Sequence, residues 1–263
     1  MPKVCIDAGH YGNYNRCPNN PNYYESNVVW KLHLLQKKYL EQLGIEVVTT
    51  RTNKDVDLSV TERGKKAKGC DLFISNHTNA VGSSMNETVD HVVIIHLQDD
   101  TTTNVDEVSK NFANKIAPII ASTIGVKQNS RIASKKSESD RNGDGIKNDN
   151  YYGVLHGSRS VGVAGAILEH SFHTNTRTVN WLLNDANLDK LARVEAECIA
   201  SFLLGKTVTL DSKAESKEEV KTEAETVIYR VQVGAYSKRE NAERMLAKVK
   251  AAGFDGFITT VKK

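Results

Sequence analysis

The stretch Leu43-Gly44-Ile45-Glu46-Val47-Val48-Thr49-Thr50 decides how this chain is read. Ahead of it, from Glu25 to Leu43, apolar side chains recur at Val28, Leu32, Leu35 and Tyr39, the spacing of one face of a helix. Gly44 is a helix stop, because glycine takes the left-handed backbone of a helix end without a Cβ clash. Beyond it, Ile45 to Thr50 is a β-branched run that reads as a strand. Lys3-Val4-Cys5-Ile6-Asp7, upstream, is a second short apolar strand. A strand, a helix and a strand in that order form a unit that pairs its strands in parallel across a crossover.

The alternation continues outward. Val60 to Lys68 predicts a short helix, Asp71 to Ser75 a third strand and Val89 to Leu97 a fourth. Val105 to Ile124 predicts a long helix with a bend expected at Pro118. Tyr152 to Leu155 and Gly165 to Glu169 read as strands, and Thr176 to Leu183 and Leu188 to Leu203 as helices. The expected fold is α/β, a largely parallel sheet flanked by helices, with ligands beyond the carboxyl ends of its strands.

The chain has 263 residues, 39% hydrophobic and 25% charged, so a sizeable core is available and wholesale disorder is excluded. No apolar run is long enough to span a bilayer, and no membrane insertion is expected. The start, Met1-Pro2-Lys3-Val4, lacks a basic segment followed by an apolar one. The expectation is synthesis in the cytoplasm without a signal peptide, and release by some other agent if the protein acts outside. Cys5, Cys17, Cys70 and Cys198 contain no C-x-x-C pair and read as free thiols, with Cys17 the one expected to be exposed.

Charge is uneven. Residues 1–205 balance to zero, residues 206–226 carry −2 and residues 227–263 carry +5. Residues 206–226 contain no aromatic side chain and no apolar stripe, which makes them a linker. Residues 227–263 read as a small β-α-β unit: a strand from Ile228 to Ala235, a helix with its apolar stripe at Ala242, Met245, Leu246 and Val249, and a strand from Phe257 to Val261. Ser237 and Glu240 have the spacing of a capping box for that helix.

His10, Glu25 and His77 sit just past strand ends or at a helix start. Two imidazoles and a carboxylate make a ligand set for catalytic zinc, with the fourth position left for water. Singly, each has a plainer reading as a turn histidine or a helix-dipole glutamate. Glu169 ends an apolar strand and belongs at the same sheet edge, as a general base or as a paired strand-end carboxylate.

The pieces Ile6-Asp7-Ala8-Gly9-His10, Glu25, Ser75-Asn76-His77-Thr78-Asn79-Ala80 and Glu169-His170-Ser171-Phe172-His173-Thr174-Asn175 resemble, in order, those of the zinc-dependent N-acetylmuramoyl-L-alanine amidases of the amidase_3 family. The resemblance covers roughly residues 2–204. It implies a peptidoglycan hydrolase that cuts the amide between the lactyl group of N-acetylmuramic acid and the L-alanine of the stem peptide. It implies Zn2+ on His10, Glu25 and His77, with Glu169 as the catalytic carboxylate. Asn79, His173 and Asn175 are expected at the substrate, and His170 and His173 behind the ligands or against the substrate. The chain departs from the family in the Asn- and Tyr-rich stretch Tyr11 to Asn20 and in Ser171, where glycine is common.

The tail, with Tyr229-Arg230-Val231-Gln232-Val233-Gly234-Ala235-Tyr236, resembles half of a SPOR domain, a module that binds cell-wall glycan. One β-α-β unit buries little by itself, so a homodimer through the tail is expected. The physiological setting implied is phage or prophage endolysin, with a mother-cell autolysin or a non-catalytic wall-binding protein as alternatives. RNA binding by the basic tail is the rival from another class, disfavoured because the body is neutral and the tail's stacking aromatics are few; no nucleic-acid partner is expected. Asp140-Arg141-Asn142-Gly143-Asp144-Gly145 resembles half a calcium loop, but Tyr151 stands where the bidentate glutamate belongs, so it reads as surface turns.

Overall fold

The computed structural model describes residues 1–98, 104–147, 149–210, 234–252 and 258–259. Contacts divide the chain into two compact units, Met1–Asp211 and Ser212–Lys263. In the first, chain order is β1 (Lys3–Ala8), α1 (Glu25–Gln42), β2 (Glu46–Thr49), α2 (Val60–Lys65), β3 (Leu72–Asn79), β4 (Val93–His96), α3 (Asn104–Ile124), β5 (Arg131–Ala133), α4 (Gly153–Ser160), β6 (Gly165–Phe172), α5 (Thr176–Leu182) and α6 (Asp185–Leu204). Gly44 does follow the end of α1 with a positive φ of 76°.

The strands form one six-stranded sheet in the order β2-β1-β3-β6-β4-β5. β2, β1, β3 and β6 run parallel to their neighbours, β4 joins β6 antiparallel, and β5 pairs parallel with β4. The chain first steps from β1 to β2 and then back across to β3. The order therefore reverses between β1 and β3, and a cleft opens at such a point, beyond the carboxyl ends of the strands.

Both faces of the sheet are covered, and the two-residue period of the strands sorts side chains between them. On one face Val4, Ile6, Leu72, Ile74, Ala166 and Leu168 pack with residues of α1, α3, α5 and α6, among them Leu32, Phe112, Leu182 and Ile199. On the other, Cys5, Phe73 and Ile167 pack with Val154 and Leu155 of α4. Each fully buried Leu, Ile or Phe contributes about 1.5–3 kcal/mol. α2 meets α4 through two glycines: a Cβ on Gly64 would lie 2.0 Å from the Val154 carbonyl oxygen, and one on Gly157 2.2 Å from that of Thr61.

Several expectations need correction. Tyr152 to Leu155 is no strand. Gly153 to Ser160 is helix α4, packed closely on α2; four apolar-leaning residues are too few for periodicity to separate strand from helix. β4 starts at Val93, four residues after the expected Val89. The three-residue edge strand β5 had no sequence signal. Cys17 is buried in the core with its Sγ 3.7 Å from Met85 Sδ, and the other three cysteines are buried free thiols. In the second unit the helix α7 spans Arg239–Ala251, but its N-cap is Lys238 and no side chain caps it, so the Ser237–Glu240 box does not form. The expected strand Ile228 to Ala235 lies outside the described residues except for Gly234 and Ala235, which are irregular. The strand Phe257 to Val261 does so except for Ile258 and Thr259, also irregular.

Past α6 the chain stays on the first unit as far as Leu210, further than a linker beginning at Lys206 implies. Val208 and Leu210 pack on the core, Leu210 N–H donates to Glu197 Oε1 at 2.8 Å, and Arg193 donates to the Leu210 carbonyl.

Candidate metal centre and cleft

β1 and β3 end side by side, and their ends are held by polar side chains under the sheet edge. Buried Asp7 accepts hydrogen bonds from Ser75 Oγ at 2.7 Å and from Thr50 Oγ1. Arg51 and Arg63, both buried, donate to the Ala8 carbonyl at 2.6 and 3.0 Å. Just beyond this anchored end, His10 turns out of the strand with φ 59°, a left-handed conformation that costs a non-glycine residue roughly 1–2 kcal/mol. Gly9 is needed there, because a Cβ on it would stand 2.4 Å from Cε1 of His77.

His10, Glu25 and His77 come together. One ligand atom from each lies within 4.8 Å of the others, and no other group of three His, Cys, Asp or Glu does so among the described residues. Glu25 Oε1 lies 2.9 Å from His77 Nδ1 and 3.3 Å from His10 Nε2, and it accepts from Thr78 N–H at 3.0 Å. Its other oxygen accepts from Asn15 Nδ2 at 2.7 Å. Burial opposes the charge of Glu25, yet the two imidazoles hold its carboxyl far below the ordinary range. Burial opposes the charge of His77 too, but the Glu25 carboxylate raises it to about 9. Two imidazoles thus converge on one buried carboxylate, and this donor set fits a small divalent cation of zinc type.

Glu169 stands opposite His77 in the β3–β6 register, on the face that carries Ile167. Its Oε2 is buried with no hydrogen-bond partner. Burial pushes it up to about 7, while the nearby His77 pulls the other way. All four residues line one cavity of about 360 Å³, with Val60, Tyr152, Val154 and Ile167 as its apolar side.

Residues 4–201 match the Amidase_3 family, N-acetylmuramoyl-L-alanine amidase. This chain belongs to that family. Residues 205–263 match the SPOR domain. The amidase CwlM of Bacillus licheniformis is 26% identical over 98% of this chain and 85% of its own length. Among solved structures, the catalytic domain of CwlV, N-acetylmuramoyl-L-alanine amidase from Bacillus (Paenibacillus) polymyxa var. colistinus, matches with a TM-score of 0.60. The match is 21% identical and covers 78% of this chain and all of that one. An N-acetylmuramoyl-L-alanine amidase from Clostridium difficile 630 gives 0.59 at 22% identity over 78% of this chain and 98% of that one. These likenesses fix the fold as that of the amidases.

The remaining site expectations fall out unequally in this amidase. Asn79 and His173 line the cavity. His173 Nδ1 lies 3.0 Å from Thr78 Oγ1, which takes a hydrogen bond from Tyr23 at 3.1 Å. Asn175 does not line it. Its side chain is 1% exposed, accepts from Thr178 N–H as the N-cap of α5 and donates to the Asn86 and Val89 carbonyls. His170 points to the opposite face of the sheet and cannot touch a substrate in the cleft. The loop from Asp140 to Gly145 is exposed, with Asp140 accepting from Gly143 and Gly145 N–H, as surface turns do. Sequence reading missed Asn15, which braces Glu25, and Tyr14, whose ring stacks on His10 at 4.7 Å. Their only sequence signal was the unusual Asn- and Tyr-rich stretch itself.

Proposed function

We propose that this amidase is zinc-dependent and cuts the bond between the lactyl group of N-acetylmuramic acid and L-alanine. The observation that carries the reading is the buried, unpartnered Oε2 of Glu169 in the same cavity as His10, Glu25 and His77. His10, Glu25 and His77 would hold the metal. When bound there, zinc supplies a Lewis acid for the scissile carbonyl and acidifies water. Glu25 is a poor candidate for the base, because it would itself be a metal ligand and its oxygens also accept from Thr78 N–H and Asn15 Nδ2. Glu169 Oε2 is free to take the proton of the attacking water and return it to the departing L-alanine amine. Asn79 and His173 are polar groups on the cavity wall that would orient the stem peptide. Val60, Tyr152 and Val154 form the opposite side of the cavity, against which the substrate would lie.

The chain divides, in this reading, into a catalytic domain, a charged linker and a SPOR unit that holds the enzyme on the glycan and raises its local concentration. We further propose that two chains pair through that unit, since α7 buries none of its residues. A monomer by light scattering at micromolar concentration, with the tail folded, would overturn the pairing. The role proposed is wall lysis after release from the cytoplasm, as an endolysin or as an autolysin of the same chemistry. The deciding experiment is mass spectrometry of purified walls digested by wild type and Glu169→Ala. Intact stem peptides with a free L-alanine amine, from wild type only, are expected. Cleavage at another bond would refute the substrate assignment, and full activity in Glu169→Ala would refute the base.

A further inference from the structure

Behind the cavity, on the far face of the same strands, lies a buried polar chain in the middle of an apolar layer. Glu195 of α6 is fully buried, as are His170 of β6, Gln36 of α1 and Asn76 of β3. Glu195 Oε1 lies 2.7 Å from His170 Nε2, and its Oε2 accepts from Gln36 Nε2 at 2.7 Å. Gln36 and Asn76 exchange two amide hydrogen bonds, at 2.8 and 3.1 Å. The opposite nitrogen of His170, Nδ1, lies 2.9 Å from the carbonyl oxygen of His77. A carbonyl only accepts, so Nδ1 carries the proton in that bond. A carboxylate placed among Leu, Ile and Phe side chains is costly unless each oxygen is bonded, and here each is.

Strand alternation explains what this chain does. Asn76 and His77 are neighbours that point to opposite faces, and so are Glu169 and His170. The cavity side holds His77 and Glu169; the back side holds Asn76 and His170. The β3–β6 register is irregular here, with His77 to Asn79 facing Glu169 to Phe172, one extra residue on β6. Ser171 takes up the surplus in a left-handed conformation, φ 65°. A bulge loosens the ladder where the metal ligand and the base must be held at a set spacing.

Resting on the zinc reading above, we propose that Glu195 is a positioning residue for the metal centre, acting from the back of the sheet through His170 and Gln36. Through His170 it pins the His77 carbonyl across the bulge. Through Gln36 and Asn76 it ties the same strand to α1, whose first residue is Glu25. Two ligands and the base are thereby held by one buried carboxylate that touches neither metal nor substrate.

The test is competitive titration of the full-length protein with a chromophoric zinc chelator, beside circular dichroism and kinetics on wall fragments. Glu195→Ala is expected to bind zinc about 10–100-fold more weakly and to lose kcat with KM little changed. Glu195→Gln can accept from Gln36 and donate to a neutral His170, so it is expected to restore zinc affinity to within about threefold of wild type. Unchanged affinity in a folded Glu195→Ala would overturn the proposal, and so would a Glu195→Gln as impaired as the alanine variant. Should Glu195→Ala fail to fold, Gln36→Leu decides: weaker zinc binding supports the proposal and wild-type binding overturns it. A wild type that binds no zinc would instead refute the metal reading itself.

Discussion

Single residues at this site are constrained by contacts that their own sequence neighbours do not reveal. His10, Glu25, His77 and Glu169 do share one cavity, yet singly each had a plainer reading in sequence, and it was the resemblance of four motifs in order that grouped them. Asn15, Thr78, Gln36 and Glu195 were not legible, because their importance lies in partners as many as 159 positions away. Gly9 is the sharpest case. Gly9→Ala drives a methyl into the His77 ring, so zinc affinity in a chelator competition is expected to fall by about 10–100-fold while the circular dichroism spectrum is kept. Asp90 supplies a second prediction. Burial opposes its charge, but Arg177, at 2.7 Å from each oxygen, and Ser171 hold its carboxyl below the ordinary value. Its folded value lies below the unfolded one, so the stabilisation is complete above pH about 4 and is lost as pH falls through the folded value. Arg177→Leu leaves that buried carboxylate without its counter-ion, with hydrogen bonds from Ser171 and the Lys127 N–H remaining. A loss on the order of 3 kcal/mol in urea unfolding at pH 7 is expected, with a flatter dependence of stability on pH below 4.

Among elements, the central strands and long helices followed their periodicity, and the misreadings came from short segments. Tyr152 to Leu155 is too brief an apolar run for periodicity to separate strand from helix. Nor could the sequence show that Gly157 lets this helix approach α2 closely. β5 has three residues and a single half-buried side chain, so no alternating pattern exists to be read. The α2–α4 contact carries its own prediction. Gly64→Ala or Gly157→Ala must push the helices apart, and a loss of about 1–3 kcal/mol or more is expected in urea unfolding. Because Tyr152, Gly153 and Val154 line the cavity, the same variants should raise KM for wall fragments more than Val60→Ala does.

For the whole molecule, the two family matches divide the work between a catalytic body and a tail that binds the wall. A chain ending at Leu210 should fold and hydrolyse soluble muropeptides at the full rate, yet lose most of its rate on intact walls at low enzyme concentration. A chain ending at Leu204 should melt lower than one ending at Leu210, because Val208 and Leu210 pack on the core; calorimetry of the two would show it. The charge shift and the linker composition put the expected boundary at Lys206, ahead of these last docked residues, whose apolar side chains are too few to form a pattern.

That docked segment also has a mechanical meaning. Were the tail held on the wall, as proposed, any tension on it would enter the first unit at its last docked residues. It would not reach the final turn of α6 first. It arrives at Leu210, gripped at its N–H by Glu197 and at its carbonyl by Arg193, and at Val208, bonded to Ser201. The load is thus spread along α6 from Arg193 to Ser201 and into the core, so tension on the tether need not unwind the helix that carries Glu195.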